Sequence, residues 1–132
     1  MSQPPIVIDS NVFRDLSFIN WLRSYHSRKV IPAIAYTEVL VYVTSVRGKT
    51  AGSFDALLRT AGIEIEWYRK EQARSAARFG ADGGDFSQNA RDYMIAAHAS
   101  LAPWVVITNN IQDFSFLGDR VKTPYEFKGL FS

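Results

Sequence analysis

The sequence predicts an α/β domain, with a central, mostly parallel sheet of four to five strands flanked by helices in a three-layer α/β/α arrangement. Three observations carry this. The β-branched runs Ile6-Val7-Ile8 and Trp104-Val105-Val106-Ile107-Thr108 read as strands buried on both faces. Strand-like and helix-like segments alternate along the chain. At 132 residues and 47% hydrophobic content, the chain can bury one core without staples, so residues 1–132 read as a single domain.

The first strand, Ile6 to Ile8, leads through Asp9-Ser10-Asn11 into Val12, Phe13, Leu16, Ile19 and Leu22, a helical spacing. Lys29 to Pro32 reads as a second strand that the proline ends. Ala33 to Val46 then reads as a largely buried helix closed by Gly48. A helix over Thr50 to Thr60 precedes Gly62 and the alternating Ile63-Glu64-Ile65-Glu66, an edge strand. The next helix covers Lys70 to Phe79, and the glycine-rich Gly80 to Asp85 reads as a mobile connection. Beyond it the pattern predicts a helix over Ala90 to Leu101, the strand Trp104 to Thr108, a short helix over Asp113 to Leu117, and a last strand at Arg120 to Lys122.

Composition narrows the chemistry. There is no cysteine, which excludes disulfides, thiolate metal sites and cysteine nucleophiles and favours an intracellular, cytoplasmic setting. The longest apolar stretch, Val30 to Val43, is interrupted by Pro32, Thr37 and Glu38, and no basic segment leads into an apolar run at the N-terminus. Neither a membrane span nor a signal peptide is expected. A net charge of +2 is too small to indicate nucleic-acid binding unless the positive residues cluster.

Four acids, Asp9, Glu38, Asp92 and Asp113, lie where hydrophobic segments give way to polar sequence or are interrupted by it. In an open α/β sheet, residues distant in sequence converge outside the carboxyl ends of the strands, so these four read as one metal site assembled by folding. Asp9, Asp92 and Asp113 each also stand where an acid caps a helix. Glu38 resists that explanation, because its neighbours in Ala33 to Val43 are apolar and a buried carboxylate needs a cation or several donors. A solvent-facing stripe or a salt bridge is the alternative. Ile95, Ala96 and Ala99 share the helical face of Asp92, and small residues there let the helix bring its carboxylate close to the strand ends.

With these residues in place, the chain resembles the PIN-domain family of metal-dependent ribonucleases, especially its VapC-type toxin members. The resemblance rests on Val7-Ile8-Asp9-Ser10-Asn11-Val12-Phe13, on Thr37-Glu38-Val39-Leu40, on Arg91 to Ala99 with Asp92 near its start, and on Val106 to Phe114 with Asp113 near its end. Val121 to Phe127 looks like the family's closing strand and tail. The resemblance implies that Asp9, Glu38, Asp92 and Asp113 form a magnesium or manganese site. Asn11, Thr108 and Asn110 would support it by hydrogen bonding, with Ser10 standing where many relatives carry threonine. Asn110 and Asp113 share the fourth position. It further implies an RNA substrate, a homodimer and a cognate antitoxin protein.

The chemistry agrees with the residue types. Carboxylate oxygens suit hard Mg2+ or Mn2+, and such a cation lowers the pKa of a bound water and neutralises charge on a phosphoryl group. Either one or two ions fit this reading. Arg14 and Arg91, each close in sequence to a proposed ligand, are the candidate phosphate contacts, whereas Lys70, Arg74 and Arg78 read as a solvated helix face. Tyr93 is a candidate for stacking on a base, with burial the alternative. Gly48-Lys49-Thr50 lacks the earlier glycine of a phosphate-binding loop, and His26 and His98 are too few and too dispersed for zinc. The rival readings are a PIN-like module that binds RNA or protein without cleaving it, and a stand-alone RNA-processing nuclease.

Overall fold

In the computed structural model, which describes residues 2–132, five strands form one sheet. They are β1 (Ile6–Ile8), β2 (Lys29–Pro32), β3 (Glu64–Glu66), β4 (Val105–Ile107) and β5 (Val121–Lys122). Their spatial order is β3-β2-β1-β4-β5, and every pairing is parallel. β1 and β4 are wholly buried, as their uninterrupted apolar runs require, while β3 closes one edge with its glutamates partly in solvent. The register pairs Ile8 with Ile107, so the residues that follow, Asp9 and Thr108, leave the sheet side by side.

Six α-helices flank the sheet: α1 (Leu16–Trp21), α2 (Ala33–Val41), α3 (Ala51–Ala61), α4 (Lys70–Gly83), α5 (Phe86–Ala96) and α6 (Pro124–Phe131). The main core is built from the strands together with Val12, Phe18, Ile19, Leu22, Tyr25, Ile95, Phe114 and Phe127. Among the described residues, no helix is long and apolar enough to cross a membrane.

Several boundaries differ from the sequence expectation, each for a local reason. The first helical segment is broken in two, a 3-10 turn at Ser10–Arg14 and then α1, because Asp15 caps α1 by accepting from the Phe18 amide at 3.1 Å. The expected mobile connection at Gly80 to Asp85 is mostly helix: α4 runs through Gly83 and stops at Gly84, which has a φ of +71°. Gly80 and Gly83 are small for packing, since a Cβ on either would collide with Phe86 or Tyr93 of α5. A helical turn from Phe86 precedes the helix bearing Asp92, which begins after a kink at the non-helical Asn89 (φ −126°, ψ 22°), as expected from Ala90 on; the Asn89 side chain donates to Asp85 at 2.7 Å. Asp92 is the third residue after that kink, and its side chain accepts from Arg91 at 2.8 Å.

The helix expected over Ala33 to Val46 continues past α2 as a π-helical turn, Tyr42–Val46, and Gly48 follows with a φ of +62°. It is less buried than its composition suggests, because Val41 and Val46 face solvent. The C-terminal tail forms a helix that the sequence reading left out. Thr123 and Glu126 close a capping box, Pro124 occupies the first turn, and Phe127 and Phe131 pack on Trp21 and Tyr25.

Candidate active site

Asp9 is fully buried at the end of β1, and each of its carboxylate oxygens is fixed from two directions or more. Oδ1 accepts from the Ser10 amide at 2.7 Å and from Arg91 Nη2 at 2.6 Å. Oδ2 accepts from the Thr108 hydroxyl at 2.8 Å and from Asn11 Nδ2 at 3.3 Å. Thr108, itself fully buried at the end of β4, accepts in turn from the Asn110 amide at 3.1 Å. Asn11 accepts through Oδ1 from the Asn109 amide at 3.0 Å. Ser10, Asn11, Thr108 and the Asn110 backbone thus form one hydrogen-bonded frame that prevents the Asp9 carboxylate from rotating.

Glu38 and Asp92 reach the same place from α2 and α5. The expectation that Glu38 is buried among apolar neighbours does not hold: its side chain is 40% exposed, although Ala35 and Val39 of the same helix are buried. Its charge is compensated by Arg91, whose Nε and Nη2 each lie 2.7 Å from a Glu38 oxygen in a bidentate pair. Asp92 is mostly buried, and the small and apolar Ile95, Ala96 and Ala99 behind it are fully buried, as its helical face requires. Arg91 Nη1 donates to Asp92 Oδ1 at 2.8 Å.

Arg91 is therefore the hub of the cluster, contacting Asp9, Glu38, Asp92 and, at 3.1 Å, the Ser10 hydroxyl. Burial disfavours its charge, but the hydrogen bonds and proximity of Glu38 and Asp9 outweigh that and hold its pKa above the ordinary value. Burial also disfavours the Glu38 anion, yet Arg91 wins there too and holds Glu38 below the usual carboxylate range. Asp92 goes the other way. Desolvation, with smaller contributions from the negative charges of Asp113 and Asp9, keeps its pKa raised despite Arg91.

Asp113 sits in the 3-10 segment Ile111–Leu117, exposed, with no side-chain hydrogen bond among the described residues. Asn110 contributes its backbone amide rather than its side chain.

As the side chains are placed, no group of three or more His, Cys, Asp or Glu residues among those described forms a ready-made metal site. The donor chemistry nonetheless fits a hard divalent cation. All the converging ligands are oxygens, and three carboxylates around one guanidinium carry more negative than positive charge.

A groove of about 570 Å³ opens beside the cluster, with Ser10, Asn11 and Glu38 at its wall, Phe13, Val39, Phe54 and Leu57 among its apolar lining, and Arg14, Arg47 and Lys49 contributing positive charge. The Arg14 guanidinium lies over the Tyr42 ring, 4.6 Å from its centroid. Sequence reading missed Arg47, Lys49, Tyr42 and the bracing Asn109. Asn109 lies directly between two residues that it singled out, while nothing in the spacing of the other three tied them to the acids. Tyr93 is buried against Phe86 and Phe116, and His98 is buried with its Nδ1 2.6 Å from Glu66.

Comparison with known proteins agrees with this architecture. The family model described as "PIN domain" matches residues 6–115. A toxin–antitoxin complex from Klebsiella pneumoniae contains a chain that superposes with a TM-score of 0.70 at 22% identity, covering 91% of this chain and 98% of that one. A chain of VapBC-1 from nontypeable Haemophilus influenzae superposes with a TM-score of 0.65 at 21% identity, with the same coverage. No curated protein matches by sequence.

Proposed function

Because the chain belongs to the PIN-domain family and its Asp9, Glu38 and Asp92 carboxylates converge on one cationic group, we propose that it is a metal-dependent endoribonuclease that hydrolyses RNA phosphodiester bonds. In this reading the nuclease domain spans residues 1–132 and acts in the cytoplasm as the toxin component of a VapBC-type toxin–antitoxin pair.

Asp9, Glu38 and Asp92 would hold Mg2+ or Mn2+, with Asp113 or Asn110 completing the site. When bound, such a cation supplies a water of lowered pKa and neutralises charge developing on the phosphoryl oxygens. The frame of Ser10, Asn11 and Thr108 keeps the Asp9 oxygens aimed at the cluster. Arg14 lies on the groove beside the acids, where its charge attracts the substrate backbone toward a centre that would otherwise repel it. Arg91, released from the acids, would add a second phosphate contact.

The single observation that carries the reading is the convergence of acids from β1, α2 and α5 on one point beside a basic groove. The toxin assignment draws support from the two solved structures, one a toxin–antitoxin complex and the other VapBC-1. A homodimer and a cognate antitoxin belong to the same reading, and exposed Leu16, Val41 and Val46 offer apolar surface for such partners.

The test is incubation of purified, antitoxin-free protein with a pool of single-stranded and structured RNA in Mg2+, Mn2+ or chelator. Cleavage that a chelator abolishes and fresh metal restores supports the assignment. Intact RNA under all conditions, with RNA bound, would replace it with a non-catalytic binding module.

A further inference from the structure

We infer that Arg91 is an internal competitor for the cation site: it holds Asp9, Glu38 and Asp92 together when no metal is bound and must leave them for a divalent cation to bind. This rests on the metal-dependent reading above.

The argument begins with how the guanidinium is used. Its three nitrogens all donate inward, Nε and Nη2 to Glu38, Nη2 also to Asp9, and Nη1 to Asp92, at 2.6 to 2.8 Å. The planar fork of arginine makes this simultaneous engagement possible, and a lysine could not reproduce it. Arg91 is the main partner of the Glu38 side chain, with Ser10 a weaker one, and the partner of Asp92, whereas Asp9 is also held by Ser10, Asn11 and Thr108. Arg91 therefore ties Glu38 and Asp92 to Asp9, and without it three carboxylates face one another with no guanidinium between them.

A divalent cation would bind to these same oxygens. It cannot share them with a guanidinium at contact distance without strong repulsion between like charges in a partly desolvated site. Arg91 is also reachable from solvent, its side chain being 37% exposed. Two arrangements follow, one with arginine holding the acids and one with metal holding them, and the apparent metal affinity is reduced by the fraction of molecules in the first. Once displaced, Arg91 stands at the mouth of the site as a free cation for a substrate phosphate, so metal loading and creation of a phosphate contact become one event.

The experiment is titration of wild-type, Arg91→Gln and Asp9→Asn proteins with Mn2+, followed by calorimetry and by thermal melting. Competition predicts that Arg91→Gln melts lower than wild type without metal, binds Mn2+ at least about tenfold tighter, and closes the melting gap at saturating Mn2+. Equal or weaker Mn2+ binding by Arg91→Gln, with binding intact in wild type, overturns the inference and leaves the metal site standing. Absence of Mn2+ binding in every protein, Asp9→Asn included, overturns the metal site itself and the inference with it.

Should Arg91→Gln fail to fold, the wild-type protein answers the question through the Nε–Hε resonance of Arg91. Saturation with Mg2+ is expected to remove its protection from solvent exchange, and unchanged protection would contradict displacement.

Discussion

Arg91 Nη2 lies 2.6 Å from Oδ1 of Asp9, although 82 residues separate them in the chain. The contact exists because β1 ends at the sheet centre and α5 runs past that end on a face of alanine and isoleucine. It also explains how an α/β sheet tolerates a fully buried Asp9: hydrogen bonds alone leave its charge in place, and the guanidinium offsets it.

Thr108 is the residue whose removal best tests the frame around Asp9. Its hydroxyl donates to Asp9 Oδ2 and accepts from the Asn110 amide. Thr108→Val keeps the shape but leaves both groups short of a partner. Stability should fall by about 1–3 kcal/mol in chemical denaturation, and cleavage should fall by about 10- to 100-fold. A variant as active as wild type would show that Asp9 does not need this hydroxyl.

Gly80 distinguishes a packed helix from a mobile loop. In an exposed helix, glycine to alanine gains up to about 1 kcal/mol. Here the new methyl group meets the ring and Cβ of Phe86, so Gly80→Ala should instead lose about 1–3 kcal/mol by overpacking. A raised melting temperature would mean that α4 and α5 are not packed this closely.

Arg14 should act on substrate binding rather than on the chemical step. With its guanidinium on the groove, Arg14→Ala should raise KM for RNA, leave kcat nearly unchanged, and flatten the dependence of log KM on log salt by about 0.7, the share of one single-strand phosphate contact. An unchanged salt slope would place the RNA elsewhere.

Glu66 should contribute to the acid limb of stability. The hydrogen bond to buried His98, working against desolvation and aided by Arg28, holds its pKa below the ordinary 4.5. A depressed carboxylate stabilises the fold above its unfolded-state pKa and loses that contribution as pH falls through the folded value. Glu66→Gln should therefore be less stable than wild type at neutral pH, with the difference shrinking below about pH 4.5. Urea midpoints measured from pH 7 to pH 3.5 decide this, and a difference independent of pH would rule out the charge as its source.

The parallel core strands and the position of Asp9 at the end of one of them were legible because both are written locally. Ile6-Val7-Ile8 and Val105-Val106-Ile107 are continuous apolar runs, and Asp9 follows the first. What could not be read was set by packing across elements. Gly80 to Gly84 carries the composition of a loop, yet two of its glycines are there to let α5 approach. Glu38 stands in an apolar stretch, but whether that stretch is covered depends on its surroundings, and Val41 is not. Asp113 follows the right strand and is placed nearby, but its side chain makes no bond to the cluster. The groove residues Arg47 and Lys49 share a groove with Glu38 only through the tertiary path of the π-turn.

The central claim, that Asp9, Glu38 and Asp92 act together on RNA, is tested most directly by single-turnover cleavage of an end-labelled single-stranded RNA by wild-type, Asp9→Asn, Glu38→Gln and Asp92→Asn proteins at saturating Mg2+, with folding of each verified by circular dichroism. The account predicts rates reduced by about 100-fold or more in each variant, with native spectra retained. Wild-type rates in folded Asp9→Asn or Asp92→Asn would contradict it.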